Sequence, residues 1–182
     1  MRNVAPTKSS LLKLKDELKF AELGYELLDQ KRNILVLELL NLVDQAVDYQ
    51  SRVEKALADA YAALQRASID MGKLKVAHIS RVINIETNIH IKQRRVMGVQ
   101  LPVVDTDFSE HPTYFSPSDT SFWVDGALKE FQQALEMMGR LAELKVSIMR
   151  LALEVKKTIR KVNALEKIAI PDLKETRSEE HT

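Results

Sequence analysis

The sequence predicts an all-α protein: a long antiparallel two-helix coiled coil, or helical hairpin, with a short β-hairpin at its bend. Three observations predict it. From Leu11 to Leu74, alternating steps of three and four residues land on an apolar side chain almost every time, with Arg32 and Asp70 as the exceptions. A 3.5-residue period sustained this long belongs to a helix that supercoils around a partner. At Ile83 the period changes to two, and near Ser121 it returns to helical and runs to Ile170. The expectation is one elongated domain, 1–182, with a helix over about 10–76, a β-hairpin and loop over about 82–120, a helix over about 121–170 and a charged tail over 171–182.

The first helix is preceded by Pro6 and by Thr7, Ser9 and Ser10, any of which can cap its free N–H groups. Its seam runs through Leu14, Leu18, Leu28, Leu35 and Leu42, then becomes small at Ala56, Ala60, Ala63 and Ala67. Small seam residues let two helix backbones approach closely. Continuous helix over this stretch would form a rod about 96 Å long. Gly24 and Gly72 each cost roughly 1 kcal/mol relative to alanine, and Gly72 is expected to mark the start of fraying.

Ile83, Ile85, Ile89 and Ile91 alternate with polar residues, the pattern of a half-buried strand. Val96 to Val104 is a second β-prone stretch. Pro102 lacks a ladder donor, so this strand is expected to be an edge or to stop there. Residues 105–120 are rich in Asp, Ser, Thr and Pro, which is loop chemistry.

The second helix has a seam of Val124, Leu128, Phe131, Leu135 and Met138, then Leu141, Leu144, Ile148, Leu151, Val155, Thr158 and Val162. The heptad count slips by one residue near Gly139, which disturbs a supercoil locally. Pro171 is expected to end the helix. If Leu74 and Phe122 are the last facing residues of the hairpin, Leu11 needs a partner at about position 185, beyond the last residue. The N-terminal turns are therefore expected to be unmatched and the least ordered part of the isolated chain.

Composition narrows the chemistry. Lys and Arg number 27 against 26 Asp and Glu, so net charge gives no case for nucleic acid or an anionic membrane. With no cysteine there is no disulfide or thiolate metal site. The four histidines, His78, His90, His111 and His181, have no ligand spacing. No P-loop motif occurs, and nothing groups a nucleophile with a base. No stretch reads as a membrane span, so a soluble cytosolic chain is expected, with neither metal nor cofactor. Residues 145–167 carry seven basic side chains against Glu154 and Glu166 but no aromatic residue to stack on a base. They read as a solvated face or one paired across to acids of the first helix. Arg32 and Asp70 read as polar seam residues that fix register, or as contacts to a third element. The strand isoleucines are expected to be buried against the second strand and helix ends, with an apolar face or sheet edge for a partner as the alternative. Phe122 and Trp123 read as anchors of the bend, and an exposed Trp123 as an interface hot spot.

Particular residues also match a known family. Pro6-Thr7-Lys8 with Leu11, Leu12, Leu14, Lys15, Leu18, Ala21, Gly24, Leu27, Leu28, Lys31 and Arg32 resembles the N-terminal signature of the D subunit of the V-type and archaeal-type rotary ATPases. Arg94-Arg95-Val96-Met97-Gly98-Val99 with Leu101-Pro102 resembles the family's strand region. Lys157 to Glu166, followed by Ile170-Pro171, is similar to its C-terminal helix motif. The family usually continues as helix past that point, which leads us to expect trimming at the C-terminus. The resemblance implies a non-catalytic central-stalk rotor subunit of a V/A-type ATPase, cytoplasmic and peripheral to the membrane. It would transmit torque between the catalytic A and B subunits and the membrane ring. The implied partners are that hexamer, the small F subunit of the stalk and a membrane-side funnel subunit. Contacts to the hexamer would be carried by Lys8, Lys15, Lys156 and Arg160, and contacts to stalk partners by Ile85, Ile89, Arg94, Arg95 and Trp123. The alternative is a free-standing homodimeric coiled-coil scaffold.

Overall fold

The computed structural model describes residues 7–83, 87–108 and 120–179 of the 182. Its elements in chain order are α1 (Lys8–Met71), α2 (Lys73–Val82), β1 (Thr87–Val96), β2 (Val99–Phe108), α3 (Phe122–Ala164), a π-helical turn (Leu165–Ala169) and α4 (Ile170–Glu179). The fold class is therefore the expected one: two long helical segments with a two-stranded antiparallel hairpin between them in the chain. The chain divides into two compact units, residues 1–40 with 149–182, and residues 41–148.

In the first unit, Thr7 is the cap that α1 uses. Its Oγ1 accepts the Ser10 N–H at 3.2 Å and its carbonyl accepts the Leu11 N–H, which satisfies donors a helix start leaves orphaned. Leu14, Leu18 and Ala21 form a buried cluster with Leu173, flanked by Leu165 and Ile170. Ion pairs join Glu22 to Lys174 at 3.2 Å and Lys31 to Glu154 at 3.0 Å, so the helices run antiparallel here.

Two expectations fail in this unit. Pro171 does not end the second helix, and residues 171–179 are helix rather than tail. A proline clashes with the carbonyl four residues earlier and donates nothing. The π turn just before it opens the coil, with the Ile170 N–H donating to the Leu165 carbonyl, and so accommodates the ring. The N-terminal turns are consequently not unmatched: Leu14 and Leu18 are each only 4% exposed, because α4 supplies Leu173.

In the second unit α1 contributes the buried residues Leu42, Val53, Ala60 and Ala67, the last three a heptad apart, and α3 contributes Val124, Ala127, Ala134 and Leu144. The Tyr61 and Phe131 rings meet edge to face at 5.5 Å, and the Ser121 N–H donates to Met71 Sδ at 3.2 Å. Here too the two helices are antiparallel. Leu135 and Met138 are not on the seam. Ala127 and the small Ala134 take the buried places, in the same heptad phase as the half-buried Leu141 and Ile148, so this phase runs through Gly139 without the expected slip, and both larger side chains are substantially exposed.

Helix α1 stops at Met71, short of the expected 76, because Gly72 adopts φ 83°, a left-handed value that suits glycine and breaks the ladder. The chain restarts as α2 and does not fray. Leu74 and Phe122, the expected last facing pair, are each 80% exposed, and the Phe122 ring meets that of its neighbour Trp123 edge to face at 6.3 Å. The hairpin turn is Met97-Gly98, with φ 47° and 84°, the double positive φ of a two-residue I′ turn that matches strand twist. Strand β2 runs through Pro102 to Phe108 instead of stopping.

Candidate functional site

The β-hairpin is held on α3 by three residues. Glu143 is buried, and its carboxylate accepts the Val104 N–H at 3.0 Å and both bonds of Arg140 Nη1 at 2.6 and 2.7 Å. A buried carboxylate persists only when it is paired and hydrogen-bonded in this way. Gly139 lies so close to β2 that a Cβ added there would stand 2.8 Å from Thr106 Oγ1. The missing side chain is what allows the strand to pack on the helix.

These contacts fix which backbone groups face where. The Val104 N–H points at Glu143 and not at β1, so Ile91↔Val104 is a non-hydrogen-bonded pair, and pairing alternates from there along the register. Pro102, opposite Gln93, falls in the same class. Its missing N–H would have pointed away from β1, so no ladder bond is lost, and the proline is tolerated in mid-strand.

Strand β1 is exposed from Thr87 to Arg95 on both faces, with Ile89 61% and Ile91 68% accessible. This overturns the expectation that the isoleucines are buried: among the described residues β1 pairs with β2 alone, and its side chains stay exposed. Lys92 Nζ bonds Asp105 Oδ2 at 2.7 Å, and His90 stands 3.8 Å from Asp107. The hydrogen bond, with the opposite charge, raises the Lys92 pKa and lowers that of Asp105 from their ordinary values. A groove of about 610 Å³ between β2 and the second unit's helices is lined by Arg52, Asp105, Asp107, Glu136 and Arg140, among others.

Lys8, Lys15, Lys156 and Arg160 all have exposed side chains in the first unit. Arg94 and Arg95 are exposed on β1, and Ile85 lies outside the described residues, as do His111 and His181. Trp123 is half-exposed with the Arg66 guanidinium 5.1 Å over its ring. Leu14, Leu18, Leu35, Leu42, Val155 and Val162 are buried, whereas Leu28 and Ile148 are half-buried. Arg32 is half-buried and pairs with Asp29 at 2.6 Å on its own helix; Asp70 is exposed. The acids of α1 are thus partly satisfied locally, Asp48 by Arg52 as well, while Lys156, Lys157, Arg160 and Lys161 face solvent. The cross-helix ion pair at this level has the opposite polarity to the one foreseen, with its cation on α1.

Outside the seam, α1 carries a second apolar stripe within the first unit. Phe20, Leu23, Leu27, Ile34 and Leu37 are all exposed. They keep the same 3–4 spacing two residues out of phase with the seam, which is the signal that could have revealed them. Contiguous exposed apolar surface marks interaction sites. Among the described residues there is no cluster of three or more potential metal ligands, and no helix is long and apolar enough to cross a membrane.

The family described as the ATP synthase D subunit matches residues 10–179. Among curated relatives, the A-type ATP synthase D subunits of Thermococcus sibiricus and Pyrococcus abyssi are each 36% identical over 176 residues, 95% of this chain and 82% of the relative. The V-type ATP synthase D subunit of Thermotoga neapolitana is 36% identical over 174 residues, covering 96% of this chain and 86% of its own length.

Proposed function

This chain belongs to the ATP synthase D-subunit family, a non-catalytic component of a V/A-type ATPase, and from that premise we propose that it is the central-stalk rotor of its complex. The observation that carries the proposal is a family match spanning both long helices and the hairpin between them. The paired helices enter the catalytic A/B hexamer, and torque passes through them to the membrane ring by way of a funnel-shaped subunit. The small F subunit of the stalk binds at the side. The complex sits on the cytoplasmic face.

A shaft turned by surrounding subunits needs surfaces that are not used up internally. The exposed stripe Phe20, Leu23, Leu27, Ile34 and Leu37 supports this reading, as do the solvent-facing cations Lys8, Lys15, Lys156 and Arg160, which suit acidic loops of the hexamer. Ile89, Arg94, Arg95 and Trp123 are the surface assigned to stalk partners.

Reconstitution tests the function. Purified A/B hexamers should bind the chain and change their ATPase rate on doing so. A hexamer that neither binds it nor responds would refute the rotor role.

A further inference from the structure

Helix α4 is joined to α3 by a stretch that has little to hold it in place. No side chain of the π turn Leu165–Ala169 is buried, and Ile168 is 68% exposed. The turn closes by the wider bond from the Ile170 N–H to the Leu165 carbonyl, and Pro171 has no N–H to give. Backbone angles can change here without opening a core, which is what a hinge requires.

What α4 sets against α1 is also modest. In the first unit α3 buries Leu151, Val155, Thr158 and Val162 in successive turns. Among the described residues of α4 only Leu173 and Thr176 are buried, and the Thr176 hydroxyl donates to the Asp172 carbonyl of its own helix at 2.8 Å. The Lys174 and Glu22 side chains pair at 3.2 Å with about half of each exposed, where an ion pair adds little. Leu173 is therefore the chief anchor, and it covers Leu14, Leu18 and Ala21. A helix seated by so few groups opens far more often than the whole chain unfolds.

We propose that the π turn and Pro171 form a hinge, and that α4 is a latch that swings off the start of α1 as one piece while α3 stays paired with α1. Closed, the latch covers Leu14, Leu18 and Ala21. Open, these three join Leu12 and Phe20, which are already 65% and 78% exposed, and the start of α1 presents apolar side chains on two sides. The latch thus sets how much apolar surface this end of α1 shows.

The sequence contains no cysteine, so a single introduced thiol reports the opening in the full chain. Ala21, under the latch, and Val155, on the α3 seam, are equally covered at 9% and 8% exposed. Ala21→Cys should nevertheless react with a thiol reagent at least about ten times faster than Val155→Cys. Adding Leu173→Ala should speed labelling of Ala21→Cys by about tenfold or more and leave Val155→Cys unchanged. Adding Pro171→Ala, which restores a backbone donor at the hinge, should slow it about fivefold, the worth of one hydrogen bond. In hydrogen exchange the amides of Lys174 to Arg177 should share one opening rate, since a latch moves whole whereas a fraying end exchanges progressively faster towards its tip. Equal labelling at the two sites, Leu173→Ala speeding both alike, no effect of Pro171→Ala, or exchange graded along α4 would each overturn the latch.

Discussion

Glu143 sits where sequence offers no hint of its importance, one acid among several on a long helix. Its carboxylate joins a strand N–H to an arginine, and removing it leaves the Val104 donor without a partner. Glu143→Ala should therefore destabilise hairpin docking by roughly 1–3 kcal/mol, read as faster exchange at Val104 with the helices still protected. Glu143→Gln keeps an acceptor and should lose less. If the two variants behave alike, the carboxylate is not the latch. Glu154 gives a pH signature. The hydrogen bond from Lys31 is the main reason its pKa lies below the ordinary 4.5; partial burial pushes it back up, and the charges of Lys31, Lys157 and Lys161 lower it further. A carboxyl depressed in the folded state contributes stability above its unfolded value, which is lost as pH falls through the folded one. Glu154→Gln should cost no more than about 1 kcal/mol at neutral pH, and the gap from wild type should close in acid, measured by urea unfolding.

Among the elements, α4 changes the reading of the N-terminal turns most. A π turn carries the chain past Pro171 and aims Leu173 at Leu14 and Leu18. Burying a leucine here is worth about 1.5–3 kcal/mol, and Leu173→Ala should cost about 2–4 kcal/mol because a cavity remains. Denaturation of the full chain measures it. An effect below about 0.5 kcal/mol would mean that α4 does not pack as described. The hairpin makes the same point: its strands and turn could be read from period and Gly98, but not which edge is covered. Alternating isoleucines look half-buried by period alone; the two-stranded sheet leaves both of them in water.

For the whole molecule, the proposed rotor role rests on surfaces rather than on a cleft. Lys156→Glu with Arg160→Glu should leave stability within about 0.5 kcal/mol, since both side chains are exposed. The pair should slow association with the A/B hexamer and flatten its dependence on salt. Salt titration of binding kinetics decides it: unchanged association would remove these residues from the interface.

The sequence by itself determined the helical class, the hairpin, most of the buried seam and the family, because a 3.5-residue period and three spaced signatures are local patterns that survive without coordinates. The tertiary structure alone decided that the chain continues as helix through Pro171, that Ala134 rather than Leu135 fills the seam, and that Gly139 and Glu143 seat β2 on α3 while β1 stays exposed. Each depends on what stands opposite in space: a carbonyl, a facing helix, an outward N–H. Periodicity along the chain carries no record of those neighbours.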